Sequence, residues 1–135
     1  MTADLIVGVD CSTTAAKAVV WSADGTPISS ARVPYELSQP RPGWGEQNAE
    51  DWWEAFCGAV RRAVQTVDAK RVGAICVTHQ RESFVCLDDR GQPLRPAMLW
   101  LDGRATREVE QYGSQEVHRI TGKPPNPTPG WYKLL

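Results

Sequence analysis

The stretch DLIVGVDCSTTAAKAVVW, residues 4–21, decides how the chain begins to fold. Its first part is a short, almost wholly apolar run that ends in Asp10, a pattern typical of a strand covered on both faces. The small residues that follow predict a turn, and residues 17–21 again have strand character. A DG pair at 24–25 marks the next reversal, after which residues 28–37 predict a third, more polar strand. Three sequential strands joined by tight turns predict an antiparallel meander.

The middle of the chain predicts a helix and a further strand. A loop rich in Pro and Gly at 39–47 precedes Asn48, a good N-cap residue, and apolar residues recur at helical spacing from 49 to 67. Residues 72–78, VGAICVT, predict a second buried strand. Because a helical crossover precedes it, we expect this strand to lie parallel to an earlier one, which makes the fold α/β with a mixed sheet.

Shorter elements are predicted for the last third of the chain. Two strand-like stretches and two short helices are expected at 84–87, 96–101, 104–112 and 115–120. Residues 123–130 contain four prolines, which exclude regular structure there. Residues 131–135 begin an amphipathic helix of barely more than one turn, so we expect residues 1–135 to be the first portion of a longer protein.

Composition and charge narrow the class of protein. The chain has 135 residues, of which 41% are hydrophobic and 23% are charged, as is ordinary for a soluble globular domain. Its 15 basic and 16 acidic residues argue against nucleic-acid binding through bulk charge. No apolar run reaches membrane-spanning length and no signal peptide is recognisable, so we expect a cytoplasmic protein without a membrane partner. The four cysteines form no CxxC pair and are predicted to be buried free thiols.

The segment DCSTTAAK, residues 10–17, is the first candidate for chemistry. A strand delivers the Asp10 carboxylate at its end, hydroxyl residues turn the chain, and Lys17 follows on the next strand. Backbone N–H groups and hydroxyls in such a turn bind phosphate oxygens, while Asp10 is suited to holding Mg²⁺. The spacing of a Walker loop is absent. A plain hairpin turn, whose hydroxyls cap the backbone, also accounts for this segment.

Four motifs together resemble the FGGY family of carbohydrate kinases, which shares the ATPase fold of actin and hexokinase. They occur in the family's order and approximate spacing, at residues 10–20, 42–46 (PGWGE), 78–83 (THQRES) and 99–104 (LWLDGR). The resemblance extends over essentially all 135 residues. It implies a ribonuclease H-like fold, of which this chain would be the N-terminal part of the first lobe.

The resemblance also implies roles for individual residues. Asp10, Thr13, Thr14 and Lys17 would face the phosphates of ATP and its Mg²⁺, with Asp10 as the metal ligand. The substrate's hydroxyl groups and carbon chain would be contacted by Arg81, Glu82, Trp100, Asp102 and His79. A guanidinium beside a carboxylate offers a hydroxyl both a donor and an acceptor, which fits this role. Arg81 and Glu82 also suit a solvated surface ion pair, and Trp100 also suits a core position.

The motifs leave the substrate open between a polyol and a ketose. Arg81-Glu82 resembles the glycerol kinases, since xylulose kinases usually carry Met-His there, whereas LWLDGR looks more like the xylulose kinases. Thr128 stands where glycerol kinases have a Tyr, which leaves space for a larger or differently shaped substrate. The family's catalytic Asp and adenine contacts would lie beyond residue 135, so we expect the 135 residues alone to be inactive.

Two other classes of protein remain open. One is a noncatalytic sugar-binding or regulatory module with an actin-like fold. The other is a ribonuclease H-type nuclease, which would place Asp10, Glu82 and Asp102 around two metal ions; the near-neutral charge argues against it. For any of these, exposed strand edges and apolar faces predict self-association of the chain into dimers.

Overall fold

The computed structural model describes residues 3–135. Met1 and Thr2, with which the predicted domain 1–135 begins, lie outside the described residues. The described chain divides into two compact units, the first made of residues 3–36 and Ala49–Gln80 and the second of Leu37–Asn48 and Arg81–Leu135. Each unit has its own sheet and its own group of buried residues.

Four strands precede the first helix, and two further strands and two further α-helices follow it. The strands are β1 (Leu5–Cys11), β2 (Ala15–Ser22), β3 (Pro27–Pro34), β4 (Glu46–Gln47), β5 (Val72–His79) and β6 (Ala97–Met98). The α-helices are α1 (Ala49–Val64), α2 (Thr106–Tyr112) and α3 (Gln115–Thr121), and single 3₁₀ helices cover Ala69–Arg71 and Gly130–Leu134. Within the described part of the chain, no helix has the length and apolar character that crossing a membrane requires.

The first unit contains the predicted meander. Strands β1, β2 and β3 are antiparallel neighbours, and β5 pairs with β1 in parallel, so the sheet order is β3-β2-β1-β5. The parallel pairing follows from the crossover through α1, which returns the chain to the starting end of β1. This mixed sheet with one helical crossover is the predicted α/β arrangement.

One face of this sheet is packed against α1. Alternate residues of β1, among them Val7 and Val9, are buried, and Ala55, Ala59 and Ala63 of α1 belong to the same apolar cluster. The three alanines recur every four residues and therefore share one face of the helix. Their small side chains let α1 lie close to the strands, and acidic residues in its first turn and basic residues in its last turn suit the helix dipole.

Strand β5 was predicted to be buried, and this prediction is wrong. Ile75 and Val77 are 50% and 49% exposed, and every residue from Gly73 to His79 is exposed. The reason is the position of β5 in the sheet: it is one of the two edge strands, and the buried residues under α1 come mainly from β1 and β2. The apolar composition of β5 indicated a strand correctly, but it did not reveal which neighbours cover it.

The second unit is built around the short antiparallel pair of β4 and β6, with Glu46 opposite Met98. Strand β4 falls inside the predicted loop 39–47, and the strand predicted at 84–87 is reduced to isolated bridges at Phe84 and Leu87. The two short helices and the irregular Pro-rich segment 123–130 are as predicted. The last residues form a 3₁₀ helix in place of the expected α-helix.

Candidate functional site

Asp10 and Lys17 lie directly opposite each other on β1 and β2. Residues in register on neighbouring strands have side chains on the same face of a sheet, and both of these side chains are exposed. Asp10 stands at the carboxyl end of β1, where its parallel neighbour β5 also ends. A carboxylate and an ammonium are therefore presented side by side at this edge of the first unit.

The turn between these strands is tightly held by hydrogen bonds. The Ser12 backbone N–H donates to the Ala15 carbonyl (3.0 Å), and the Ser12 hydroxyl donates to the same oxygen (3.1 Å). Tyr35, just after β3, braces the turn from the side: its N–H donates to the Thr14 carbonyl (3.2 Å), and its hydroxyl contacts the Ser12 and Ala15 carbonyls. The backbone of the turn is thus fixed before any ligand binds.

Tyr35 keeps its proton under ordinary conditions. Burial raises the pKa of Tyr35 to about 12, with smaller contributions from Cys11 and Asp10. A phenol that stays neutral remains a hydrogen-bond donor to the carbonyls of the turn. Tyr35 is a residue that sequence reasoning missed, because no local pattern connects the end of β3 with residues 12–15.

The end of β5 contributes to the same region. The Gln80 N–H donates to the Cys11 carbonyl (3.3 Å), and the Thr13 hydroxyl donates to the Gln80 side-chain oxygen (3.4 Å). His79, which is opposite Cys11, is exposed, and its Nδ1 lies 2.9 Å from the Gln80 carbonyl oxygen. The structure therefore brings the predicted residues Asp10, Thr13, Thr14, Lys17 and His79 together at one end of the first unit.

This donor set fits a metal ion that is bound together with phosphates. Mg²⁺ usually takes one or two protein carboxylates and completes its shell with water and phosphate oxygens, and the exposed Asp10 offers one carboxylate. Over residues 3–135, no group of three or more His, Cys, Asp or Glu side chains is placed to hold a metal ion by itself.

In the second unit, the Glu82 carboxylate has two protein partners. One oxygen forms an ion pair with the Lys123 ammonium, and the other accepts a hydrogen bond from the Gly130 N–H at 2.7 Å. The prediction paired Glu82 with Arg81, which is exposed. Lys123 was missed because it is 41 residues away, although it is the single charged residue of the Pro-rich segment 123–130.

Trp100 is 43% exposed, so its side chain is not part of the buried core. The Trp100 backbone N–H donates to the Ser83 hydroxyl at 2.9 Å. The Lys133 ammonium lies 2.8 Å from the Leu99 carbonyl, 3.2 Å from that of Thr128 and 3.5 Å from that of Trp100. Lys133 therefore ties the Trp100 turn to the Pro-rich segment, and burial lowers the pKa of its ammonium despite the nearby Asp102.

Asp102 is buried, and the protein itself supplies its partners. Its carboxylate accepts hydrogen bonds from the Arg104 guanidinium (2.6 and 2.8 Å) and from the Gly45 N–H (2.7 Å). Burial alone would raise the pKa of Asp102, but the hydrogen bonds from Arg104 and Gly45 outweigh it and hold the pKa below its usual value. The Asp102 side chain therefore links Gly45 and Arg104 within the second unit.

The Arg104 guanidinium joins the PGWGE and LWLDGR motifs. It also bonds Glu46 at 2.7 Å, and its Cζ lies 3.8 Å from the centre of the Trp44 ring. Arg41 lies over the same ring at 4.9 Å, and Arg95 reaches Glu46 at 2.9 Å. The two motifs therefore form one packed and charged cluster.

The cysteines are free thiols in the structure, as predicted, but not all are buried. Cys76 on β5 is exposed, while Cys11, Cys57 and Cys86 are partly buried. Burial raises the pKa of Cys11, and the neighbouring Asp10 adds to the shift. The thiol in the turn is therefore held in its protonated, less reactive form.

Comparison with known proteins assigns the chain to a family. Residues 5–135 match the N-terminal domain of the FGGY family of carbohydrate kinases. Over 120 residues the chain is 31% identical to a glycerol kinase from Thermococcus gammatolerans, covering 87% of this chain and 24% of that one. A xylulose kinase from Staphylococcus xylosus is 31% identical over 105 residues, covering 78% of this chain and 22% of that one. The chain belongs to the FGGY family of carbohydrate kinases.

Solved structures confirm the fold. A ligand-bound xylulose kinase from Lactobacillus acidophilus has a TM-score of 0.90 at 28% identity, covering 96% of this chain and 27% of that one. The predicted α/β fold of the actin and hexokinase type is therefore confirmed. The chain spans about a quarter of the length of the curated relatives it matches.

Proposed function

We propose that these 135 residues serve in the ATP-dependent phosphorylation of a small polyol or ketose. The observation that carries the proposal is the braced turn after β1, which presents Asp10 and Lys17 side by side. Membership of a carbohydrate kinase family supports the same function.

In this proposal the turn binds the phosphates of the nucleotide. Lys17 neutralises phosphate charge, and the hydroxyls of Thr13 and Thr14 donate hydrogen bonds to phosphate oxygens. Asp10 holds Mg²⁺ directly or through water, and the ion would spread the negative charge that develops during phosphoryl transfer. Because the turn is already fixed by Tyr35, little ordering is required when the nucleotide binds.

The residues proposed to bind the polyol are Arg81, Glu82 and Trp100 of the second unit, and His79, two residues before Arg81, of the first unit. The carboxylate and the cations offer acceptors and donors to hydroxyl groups, and the exposed indole covers a C–H face. We assign Asp102 the positioning of Arg104 and Gly45, since its carboxylate is buried among those partners.

The remaining groups that the reaction needs are assigned to polypeptide outside these 135 residues. The chain spans about a quarter of its curated relatives, and we propose that the base for the substrate hydroxyl and the adenine contacts are not among these 135 residues. Glycerol and xylulose, which appear in the names of the relatives, are the first substrates to test. A kinase of this kind would act in the cytoplasm, where ATP is available.

Calorimetry distinguishes a kinase portion from a sugar-binding module. Glycerol and D-xylulose are titrated into the chain with and without MgATP, and MgATP is titrated alone. The proposal predicts that MgATP binds and that Lys17→Met weakens this binding. Polyol binding without any binding of MgATP would favour the noncatalytic module, and turnover by the 135 residues would contradict the assignment of the base to other polypeptide.

A further inference from the structure

The segment THQRES, residues 78–83, contains a residue with an unusual backbone conformation. Glu82 has a φ of 66°, in the left-handed region that non-glycine residues seldom adopt. Such a conformation persists only when the surroundings fix it, and it is concentrated at functional sites. Here the Glu82 carboxylate is anchored at both oxygens, by Lys123 and by the Gly130 N–H.

Lys123 is brought to Glu82 by the end of α3. Gly122 ends the helix in the left-handed conformation, with φ of 69°. The Lys123 N–H then donates to the Thr121 hydroxyl at 3.2 Å, which fixes the direction in which the chain leaves the helix. The position of the ammonium therefore follows from local structure as well as from its ion pair.

In the ion pair of Glu82 and Lys123, Lys123 is the partner that is more exposed to solvent. The Lys123 side chain is 40% exposed, whereas that of Glu82 is 14% exposed. An ammonium has three N–H donors, and the bond to Glu82 uses one of them. A carboxylate oxygen has two lone-pair directions, so Glu82 also retains capacity to accept from a hydroxyl. Together the pair offers N–H donors from Lys123 and an acceptor from Glu82 next to each other.

We propose that Lys123 is a substrate-binding residue that, together with Glu82, selects compounds with adjacent hydroxyl groups. The inference rests on the proposed function, since it concerns the same polyol-binding residues. A hydroxyl that donates to Glu82 places its neighbour within reach of the Lys123 ammonium, and the ammonium donates to that second oxygen. Lys123 thus takes the place of the cationic partner that the sequence had assigned to Arg81.

The test is an NMR titration of the ¹⁵N-labelled chain with two ligands that differ in one hydroxyl. Glycerol has adjacent hydroxyls, and 1,3-propanediol lacks the middle one. The wild type is expected to prefer glycerol, and Lys123→Met is expected to bind glycerol about tenfold more weakly and to lose the preference. Lys123→Arg retains charge and donors and is expected to recover most of the binding. Lys70→Met, an exposed lysine of the first unit, is the matched control.

Each outcome has a distinct meaning. If the wild type prefers glycerol and Lys123→Met does so equally, the role of Lys123 is wrong while the proposed function stands. If Lys123→Met binds glycerol more tightly, Lys123 competes with substrate for Glu82, which also overturns the inference. If the wild type binds neither compound nor D-xylulose, the polyol assignment itself fails. The same spectra report folding, and Lys123→Gln replaces Lys123→Met if the latter unfolds.

Discussion

The Arg104 guanidinium and the Asp102 carboxylate form a buried, doubly hydrogen-bonded ion pair in the second unit, with contacts of 2.6 and 2.8 Å. The Asp102 side chain is fully buried, and that of Arg104 is 14% exposed. Removing one partner of such a pair leaves an uncompensated charge in the protein interior, which is strongly destabilising. The pair therefore controls the stability of the loops that carry Trp44 and Trp100.

Asp102→Asn is expected to lower the free energy of unfolding at pH 7 by roughly 3 kcal/mol. The folded-state pKa of Asp102 is lowered, so its contribution is present above the unfolded-state pKa and is lost as pH falls through the folded-state value. The difference between wild type and Asp102→Asn should therefore shrink below about pH 4. Denaturant unfolding followed by circular dichroism between pH 3 and 7 measures it.

Glu116→Gln is the control for this prediction. Glu116 pairs with Arg119 at 3.8 Å on the surface, where both side chains are about three-quarters exposed. An exposed pair contributes little, so this variant should differ from wild type by less than about 0.5 kcal/mol. Equal effects of the two substitutions would contradict the importance given to the buried pair.

Tyr35→Phe tests the bracing of the turn after β1. The folded-state pKa of Tyr35 is raised to about 12, so its contribution is fully present below the unfolded-state value of about 10 and is lost as pH rises toward 12. The variant should be less stable by about 1 kcal/mol at pH 8, and the difference should narrow between pH 10 and 12. Denaturant unfolding at these pH values measures it.

Tyr112→Phe controls for the loss of a phenol in general, because Tyr112 is about half exposed on α2. Its stability difference from wild type at pH 8 should be smaller than that of Tyr35→Phe. A Tyr35→Phe protein that tracks wild type over the whole range would show that the hydroxyl does not brace the turn.

The meander and the crossover were predictable because their patterns are local. The apolar run ending in Asp10, the DG reversal at 24–25 and the helical spacing after Asn48 each specify an element without reference to distant residues. The exposure of β5 was not predictable, because it depends on which strands α1 covers. Likewise, β4 is only two residues long and exists through its pairing with β6.

The residues around the candidate site were predictable to different degrees. The turn with Asp10 and Lys17 is contiguous in sequence, so the sequence alone indicated it. The partners of Glu82 and Asp102 are set by loops that meet only in the folded chain, at Lys123 and Gly45. The resemblance to a family identified the motifs, whereas the structure identifies the groups that contact Glu82 and Asp102.

The uncovered edge of the first unit leads to a prediction about self-association. Ile75 and Val77 lie on an edge strand, and each is about half exposed. Apolar edge strands without charged residues pair readily with other chains. We expect the 135-residue chain to form dimers or larger species, and Ile75→Lys to shift it toward the monomer, as measured by light scattering during size-exclusion chromatography.

Gln65→Lys, an exposed position just after α1, provides the matched control because it adds the same charge elsewhere. It should leave the association unchanged. A wild-type chain that elutes as a single monomeric species at high concentration would contradict the prediction.

The proposed function requires that the turn after β1 bind nucleotide phosphates. ³¹P NMR of MgATP is recorded while wild type, Lys17→Met and the control Lys70→Met are added in parallel. We expect wild type and Lys70→Met to shift and broaden the β- and γ-phosphate signals, and Lys17→Met to require about tenfold more protein to do so. Signals that respond equally to Lys17→Met and to wild type would contradict the assignment of this turn to ATP.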